Sequence, residues 1–288
     1  MNTILVVADL VEQAPIAIRQ ACQMARLYDA RLHIVHYCYV DLERIDGDNE
    51  EIRQRIIDNQ RQQSEQVIKN CVEEGIEYTH SVEWCKHIYK WVCDYADLNR
   101  PIMVVKTGHR TETMFYTPTD WHLIRQCPAP VLIAAEKKWR KVENVMAAVD
   151  LESRSDAKQA LNTKILDVAR KMAEFFEVEM HVCYSPPAPP VLRDLGLRFP
   201  DEVESKAKAA LKDSLEEIKR EYHLDDSRIH IHAGQAEKVI PSMAAKYNVS
   251  LVVVGTSAQG GLKSRLLGNV AEKILALLKT DVLTIKPD

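Results

Sequence analysis

Two aspartates and one glycine-rich segment stand where a ligand could be bound. Asp9 and Asp150 each follow a short apolar run, and the segment 255–270 follows another. In open parallel sheets, ligands bind outside the carboxyl ends of the strands, where loops and helix N-termini meet. Gly268 and Asn269 precede a helix-like stretch, so their free N–H groups could receive an anion. This pattern would suit a phosphate-binding site, and an ordinary surface loop followed by a helix cap explains it equally well.

The elements that must position these residues occur twice along the chain. The run ending at Asp9 aligns with the run ending at Asp150, and three later apolar runs also recur about 140–150 residues further on. In each copy, short apolar runs alternate with segments of helical period, which is typical of parallel strands joined by crossover helices. We therefore predict two tandem α/β domains with open parallel sheets, at residues 1–140 and 141–288.

The helical period allows the crossover helices to be placed. In the first copy the pattern predicts helices over about 12–28, 49–74, 86–98 and 119–126. In the second copy it predicts them over 156–176, about 200–222, 236–247 and 267–278.

The composition is that of a globular protein. The chain has 288 residues, of which 46% are hydrophobic and 28% charged, with a formal net charge of −4. No basic face points to a nucleic-acid partner, and no apolar run approaches the ~20 residues that a membrane span needs. The seven cysteines are scattered and form no Cys-x2-Cys pair, which indicates free thiols in a reducing compartment. We predict a soluble cytoplasmic protein with neither a nucleic-acid nor a membrane partner.

The glycine-rich segment resembles the nucleotide signature of the universal stress protein family. Nucleotide-binding members of that family carry Gly-x2-Gly-x9-Gly-Ser/Thr, and this chain has Gly255-x2-Ala258-x9-Gly268-Asn269. The first copy's segments 116–123 and 127–131 look like those of the tandem E-type members in particular.

The resemblance has consequences for the architecture and the role. It implies two five-stranded domains of the adenine-nucleotide α-hydrolase, flavodoxin-like type, in three layers, which form an intramolecular pseudo-dimer. The last strands, at about 131–135 and 282–286, are expected to meet across the pseudo-twofold axis. It also implies a role in the stress response, and further dimerisation of the chain is left open.

Carried onto this chain, the family's ligand contacts predict a site for ATP or AMP in the second domain. In the family, the first-strand aspartate lies near the adenine and ribose, a second-strand valine lies against the adenine, and the glycine signature surrounds the ribose and phosphates. Ala258 replaces the family's second glycine, and its Cβ is expected to weaken nucleotide binding. The predicted site residues are Asp150, Val182, Val254, Gly255, Ala258, Gly268, Asn269 and Val270.

The first copy departs further from the signature. The alignment puts Lys106 in place of Gly255, and Thr117-Pro118 in place of the Gly-Asn pair. Pro118 lacks the backbone N–H that would donate a hydrogen bond to a phosphate. We therefore expect a degenerate site in the first domain, which does not bind nucleotide in the family's manner although Asp9 remains.

Catalytic and metal-binding patterns are weak in this sequence. No nucleophile elbow or zinc-protease motif occurs, so at most slow ATP hydrolysis is expected, with Asp150 as the single candidate base. Two histidine-containing pairs on strand-like runs form a set that would suit zinc if the strands were neighbours. The favoured interpretation is that these are structural residues whose hydrogen bonds are satisfied within the fold, and no metal site is predicted. The set consists of His181, Cys183, His230 and His232.

Two further hypotheses concern other classes of function. The chain could act as a non-catalytic scaffold whose sites have degenerated and which works through its surfaces. Alternatively, the cleft of the first domain could take an apolar or amphiphilic small molecule, since an aromatic cluster lies near its strand ends, although packing at a domain interface is the favoured explanation of the cluster. That cluster consists of Met114, Phe115, Tyr116 and Trp121.

Overall fold

The computed structural model divides into two compact units, Met1–Arg140 (unit 1) and Lys141–Asp288 (unit 2). It describes residues 2–9, 11–44, 47–108, 118–135, 143–187, 200–256, 273–274 and 277–287.

Unit 1 is a parallel sheet in the order β3-β2-β1-β4-β5, with helices between successive strands. The strands are β1 (Asn2–Ala8), β2 (Ala30–Cys38), β3 (Tyr78–Trp84), β4 (Met103–Thr107) and β5 (Val131–Ala134). The helices are α1 (Ala14–Tyr28), α2 (Asn49–Cys71), α3 (Ile88–Asn99) and α4 (Pro118–Gln126), with a 3-10 turn at Leu42–Arg44.

Unit 2 repeats this topology, in the order β8-β7-β6-β9-β10. The strands are β6 (Asn144–Ala148), β7 (Glu179–Tyr184), β8 (Ile229–Ile231), β9 (Val249–Gly255) and β10 (Asp281–Ile285). The helices are α5 (Asp156–Phe176), α6 (Pro200–Ala210), α7 (Lys212–Tyr222) and α8 (Ala236–Lys246), with a 3-10 turn at Asp226–Arg228. The predicted fold class, an open parallel α/β sheet in each half, is thus confirmed.

The central strands are apolar throughout because both faces of the sheet are covered. In β1, the residues from Ile4 to Ala8 are at most 1% exposed, and Val145, Met146 and Ala147 of β6 are fully buried. Parallel sheets with helices on both faces show this continuous apolar pattern. Within the described residues, none of the helices has the length and apolar character needed to cross a membrane.

The single helix predicted over about 200–222 is wrong, because the structure has two helices that meet at Leu211. Leu211 leaves helical geometry, with φ −100° and ψ 7°. The break lies within a buried cluster, in which Leu211 and Leu215 join Tyr184 and Ile231 of the neighbouring strands. Packing against the sheet therefore overrides the continuous helical period of the sequence.

The strand order reverses at the same point in each unit. In unit 1, β1 lies between β2 and β4, so the chain adds strands first on one side of β1 and then on the other. In unit 2, β6 has the same position between β7 and β9. Ligands in open parallel sheets bind at the carboxyl ends of the strands where the order reverses in this way. Asp9 follows β1 and Asp150 follows β6, so both carboxylates lie at these points.

Candidate functional site

In unit 2, Asp150 is held in place through its backbone. Its N–H donates a hydrogen bond to Asn162 Oδ1 at 3.1 Å, and its carbonyl oxygen accepts one from Asn162 Nδ2 at 2.7 Å. Asn162 lies on α5, so this helix fixes the end of β6. The Asp150 side chain is half exposed, which leaves its carboxylate accessible at the edge of the sheet.

The Asp150 carboxylate forms an ion pair with a lysine from the first turn of α5. Lys158 Nζ lies 3.0 Å from Asp150 Oδ2, and both side chains are 50% exposed. Exposed pairs of this kind contribute about 0–1 kcal/mol to stability. A ligand can therefore compete for Asp150 at little cost.

Tyr184 ends β7, near enough to Glu152 and Asp150 for both charges to act on its hydroxyl. Burial, together with the charges of Glu152 and Asp150, raises the pKa of Tyr184 far above its ordinary value. Its hydroxyl therefore keeps its proton at neutral pH. Sequence reasoning missed Tyr184, Lys158 and Asn162, although the spacing of the last two, one helical turn apart on α5, was a usable signal.

The structure does not bring the two predicted valines to one face of the sheet. Val254 pairs with Ala148, whereas Val182 pairs with Ala147 on the other side of β6. Successive residues of a strand point to opposite faces. Val254 therefore shares the face of Ala148, whereas Val182 points to the opposite face and is 1% exposed. Ala258, Gly268, Asn269 and Val270 lie outside the described residues.

A side chain at Gly255 would collide with side chains of α5. A Cβ at this position would lie 2.7 Å from Leu161 Cδ2 and 3.0 Å from Ile165 Cδ1, both on α5. The sequence interpretation, that the glycine opens the backbone to a ligand, stays a prediction.

Replacing Gly255 by alanine is expected to lower the free energy of unfolding by about 1–3 kcal/mol, since the Leu161 and Ile165 side chains must shift to make room for the Cβ. Urea unfolding measures this effect. Adding Leu161→Ala to the same chain should restore part of the loss, because it removes the nearest clashing atoms. Equal stability of Gly255→Ala and the unaltered chain would contradict this packing role.

In unit 1 the corresponding carboxylate, that of Asp9, forms an ion pair with the buried Lys106. Lys106 Nζ lies 2.8 Å from Asp9 Oδ2 and 2.9 Å from Asp120 Oδ1, and it donates a hydrogen bond to the Thr107 carbonyl oxygen at 2.8 Å. Lys106 and Asp120 are fully buried, and the Asp9 side chain is 12% exposed. The ammonium group of Lys106 therefore has two carboxylate oxygens and one carbonyl oxygen within 2.9 Å.

Strand pairing corrects the alignment of Lys106 with Gly255. Lys106 pairs with Val7, two residues before Asp9, and Val254 pairs with Ala148, two residues before Asp150. Lys106 is therefore level with Val254, and Thr107 is level with Gly255. The apolar runs of the two strands look alike when shifted by one residue, so sequence similarity alone placed them wrongly.

Thr107 forms hydrogen bonds at the start of α1, whereas the equivalent Gly255 leaves space for side chains of α5. Its hydroxyl donates to the Gln13 carbonyl oxygen at 3.0 Å and accepts from the Ala17 N–H at 3.1 Å. Thus unit 1 has a lysine and a threonine where unit 2 has a valine and a glycine. Thr117 and the segment 114–116 of the aromatic cluster lie outside the described residues.

The histidines of β7 and β8 do lie on neighbouring strands, but they bind each other. His181 Nδ1 and His230 Nε2 are 3.0 Å apart, and both rings stack on Tyr247. Burial lowers the pKa of His230 to about 4 and raises that of Cys183 to about 12. His232 lies apart from this pair, 3.4 Å from Glu204. Among the described residues, no group of three or more side chains is arranged to hold a metal ion.

Comparison with known proteins gives matches over nearly the whole chain. Residues 1–135 and 141–286 each match the family described as "Universal stress protein family". The chain is 28% identical to universal stress protein E of Salmonella typhi over 245 residues, which is 82% of this chain and 77% of that protein. It is 27% identical to universal stress protein E of Escherichia coli (strain K12), with the same coverage.

Two solved structures share the fold along the full chain. A functionally unknown protein, PA1789, from Pseudomonas aeruginosa PAO1 superposes with a TM-score of 0.73 at 24% identity, over 100% of this chain and 93% of that one. A universal stress protein from Archaeoglobus fulgidus DSM 4304 gives a TM-score of 0.65 at 13% identity, over 99% and 98% of the two chains.

Proposed function

The chain belongs to the universal stress protein family, with one family domain in each half and the tandem arrangement of the E-type proteins, and we propose that unit 2 binds an adenine nucleotide, ATP or AMP, or a related anionic ligand. The observation that carries this proposal is the difference between the two first-strand carboxylates. Asp150 is half exposed and paired with an exposed lysine, whereas Asp9 is held by a buried one.

Each described residue has a proposed part in this binding. Asp150 accepts hydrogen bonds from the polar groups of the base or ribose. Val254 shares a face of the sheet with Ala148, which lies two residues before Asp150. Gly255 ends β9, the strand next to β6. The phosphate contacts are assigned to the remaining predicted site residues, Ala258, Gly268, Asn269 and Val270.

The proposed cellular location is the cytoplasm. All seven cysteines are free thiols, and Cys22, Cys71, Cys127 and Cys183 are buried. Free cysteines persist in a reducing compartment, which supports this location.

Isothermal titration with ATP and AMP tests the proposed function. We expect saturable binding, and Asp150→Asn should weaken it at least about tenfold, because hydrogen bonds to a charged group contribute about 1.5–3 kcal/mol. Asp213→Asn, on the exposed face of α7, is the matched control and should bind as the unaltered chain does. An unaltered chain that binds neither nucleotide, or an Asp150→Asn variant with full affinity, would refute the proposal.

Ala258 distinguishes nucleotide binding from the scaffold hypothesis. If the site is functional but weakened by the alanine Cβ, Ala258→Gly should strengthen ATP binding that the unaltered chain already has. Equilibrium dialysis measures both chains. ATP binding that arises only in Ala258→Gly, and is absent from the unaltered chain, would favour the scaffold.

A further inference from the structure

The two units pair the same carboxylate with lysines of different origin and different freedom. In unit 1 the lysine comes from β4, is fully buried, and has two carboxylates and one carbonyl oxygen as acceptors. In unit 2 the lysine comes from α5, is half exposed, and pairs with Asp150. Lys106 is thus fixed by packing, whereas Lys158 can turn away from its partner.

Two side chains of α5 contact Asp150: one holds its backbone, and the other pairs with its carboxylate. Asn162 clamps both backbone polar groups of Asp150, at 3.1 and 2.7 Å. Lys158 lies one helical turn before Asn162 and reaches the carboxylate of the same residue. Displacing Lys158 therefore leaves Asp150 in position, because the clamp does not involve the carboxylate.

We propose that Lys158 selects the anionic group of the ligand in unit 2. A ligand whose N–H or O–H groups bind the Asp150 carboxylate releases the lysine, and the freed ammonium then binds the ligand's phosphate. The flexible four-carbon stem of lysine permits this movement, and the exposed ion pair that it leaves contributes only about 0–1 kcal/mol. This inference rests on the proposed function of unit 2.

The inference predicts a preference for phosphorylated ligands that depends on Lys158. Lys158→Met should lower the ratio of ATP affinity to adenosine affinity about tenfold or more, since it removes one hydrogen bond to a charged group. Adenosine affinity itself should stay equal or rise, because Asp150 loses its competing partner. Lys158→Arg keeps the positive charge and should retain most of the ratio.

Titration of the full chain with adenosine, AMP and ATP separates the outcomes. Lys212→Met, on α7, is the matched control and should leave the ratio unchanged. If Lys158→Met changes adenosine and ATP affinity by the same factor, Lys158 only competes for Asp150 and the inference is overturned. If the unaltered chain binds adenosine and ATP but Lys158→Met has no effect, the inference fails and the proposed function stands. If the unaltered chain binds neither, both fail.

Discussion

Replacing Lys106 by methionine will lower the free energy of unfolding of unit 1 by about 3–5 kcal/mol, because it leaves carboxylates buried without their cation. Asp120 is fully buried and Asp9 nearly so, and both lie within 2.9 Å of the ammonium group. Methionine retains most of the length of the side chain, so the loss reports the missing charge. Urea unfolding at neutral pH measures it.

Lys158→Met is the matched control for this experiment. It removes the lysine partner of the equivalent carboxylate in unit 2, but that pair is half exposed and should contribute only about 0–1 kcal/mol. The variant Lys106→Met/Asp9→Asn/Asp120→Asn, which removes all three charges, should regain much of the stability. A loss below about 1 kcal/mol for Lys106→Met alone would contradict the buried ion cluster.

Mild acid will destabilise both units through buried neutral histidines. His36 is fully buried, and its two ring nitrogens have no hydrogen-bond partner among the described residues. Burial, with His80 nearby, lowers the pKa of His36 to about 4, and burial with His181 nearby does the same for His230. Both values lie well below the ordinary value of about 6.5.

The direction of the effect follows from proton binding. Between pH 6.5 and 4 the unfolded chain binds protons at these histidines and the folded chain does not, so stability falls as the pH falls. The contribution of these neutral histidines to the free energy of unfolding is present above pH 6.5 and is progressively lost as the pH falls toward 4. Each histidine should remove about 2 kcal/mol at pH 5 and about 3 kcal/mol at pH 4.

Urea unfolding at pH 7 and pH 5 tests this linkage. His36→Leu and His230→Leu should each reduce the difference between the two pH values by about 2 kcal/mol, whatever they do to stability at pH 7. His232→Leu, at a histidine more than a third exposed, is the control. An unchanged pH dependence in both leucine variants would show that other groups carry the acid effect.

The fold was accessible from the sequence because its strongest signals are local. The runs before Asp9 and Asp150 are continuous and apolar, as strands buried on both faces require. The helix predicted over 156–176 has those limits in the structure. The predicted helix 200–222 failed because its break depends on packing against β7 and β8, which the helical period does not encode.

The candidate site was less accessible, because its contacts join distant parts of the chain. Sequence reasoning singled out Lys106 as a departure from the signature, but nothing near it pointed to Asp120 on α4. The alignment with Gly255 was wrong by one residue, since the register of β4 against β1 is set by pairing and not by composition. Gly255 was interpreted through ligand approach, which stays a prediction, and nothing in the sequence indicated that a Cβ there would collide with Leu161 and Ile165 of α5.

Hydrogen–deuterium exchange of the full chain, with and without ATP at millimolar concentration, tests the central claim that unit 2 and not unit 1 receives the nucleotide. ATP should slow exchange in peptides covering 149–162 and 252–256, which contain Asp150, its clamp and Gly255. Peptides covering 7–17 and 104–108, which contain Asp9 and Lys106, should exchange at the same rate in both conditions. Protection of the unit 1 peptides, or no protection in either unit, would contradict the account.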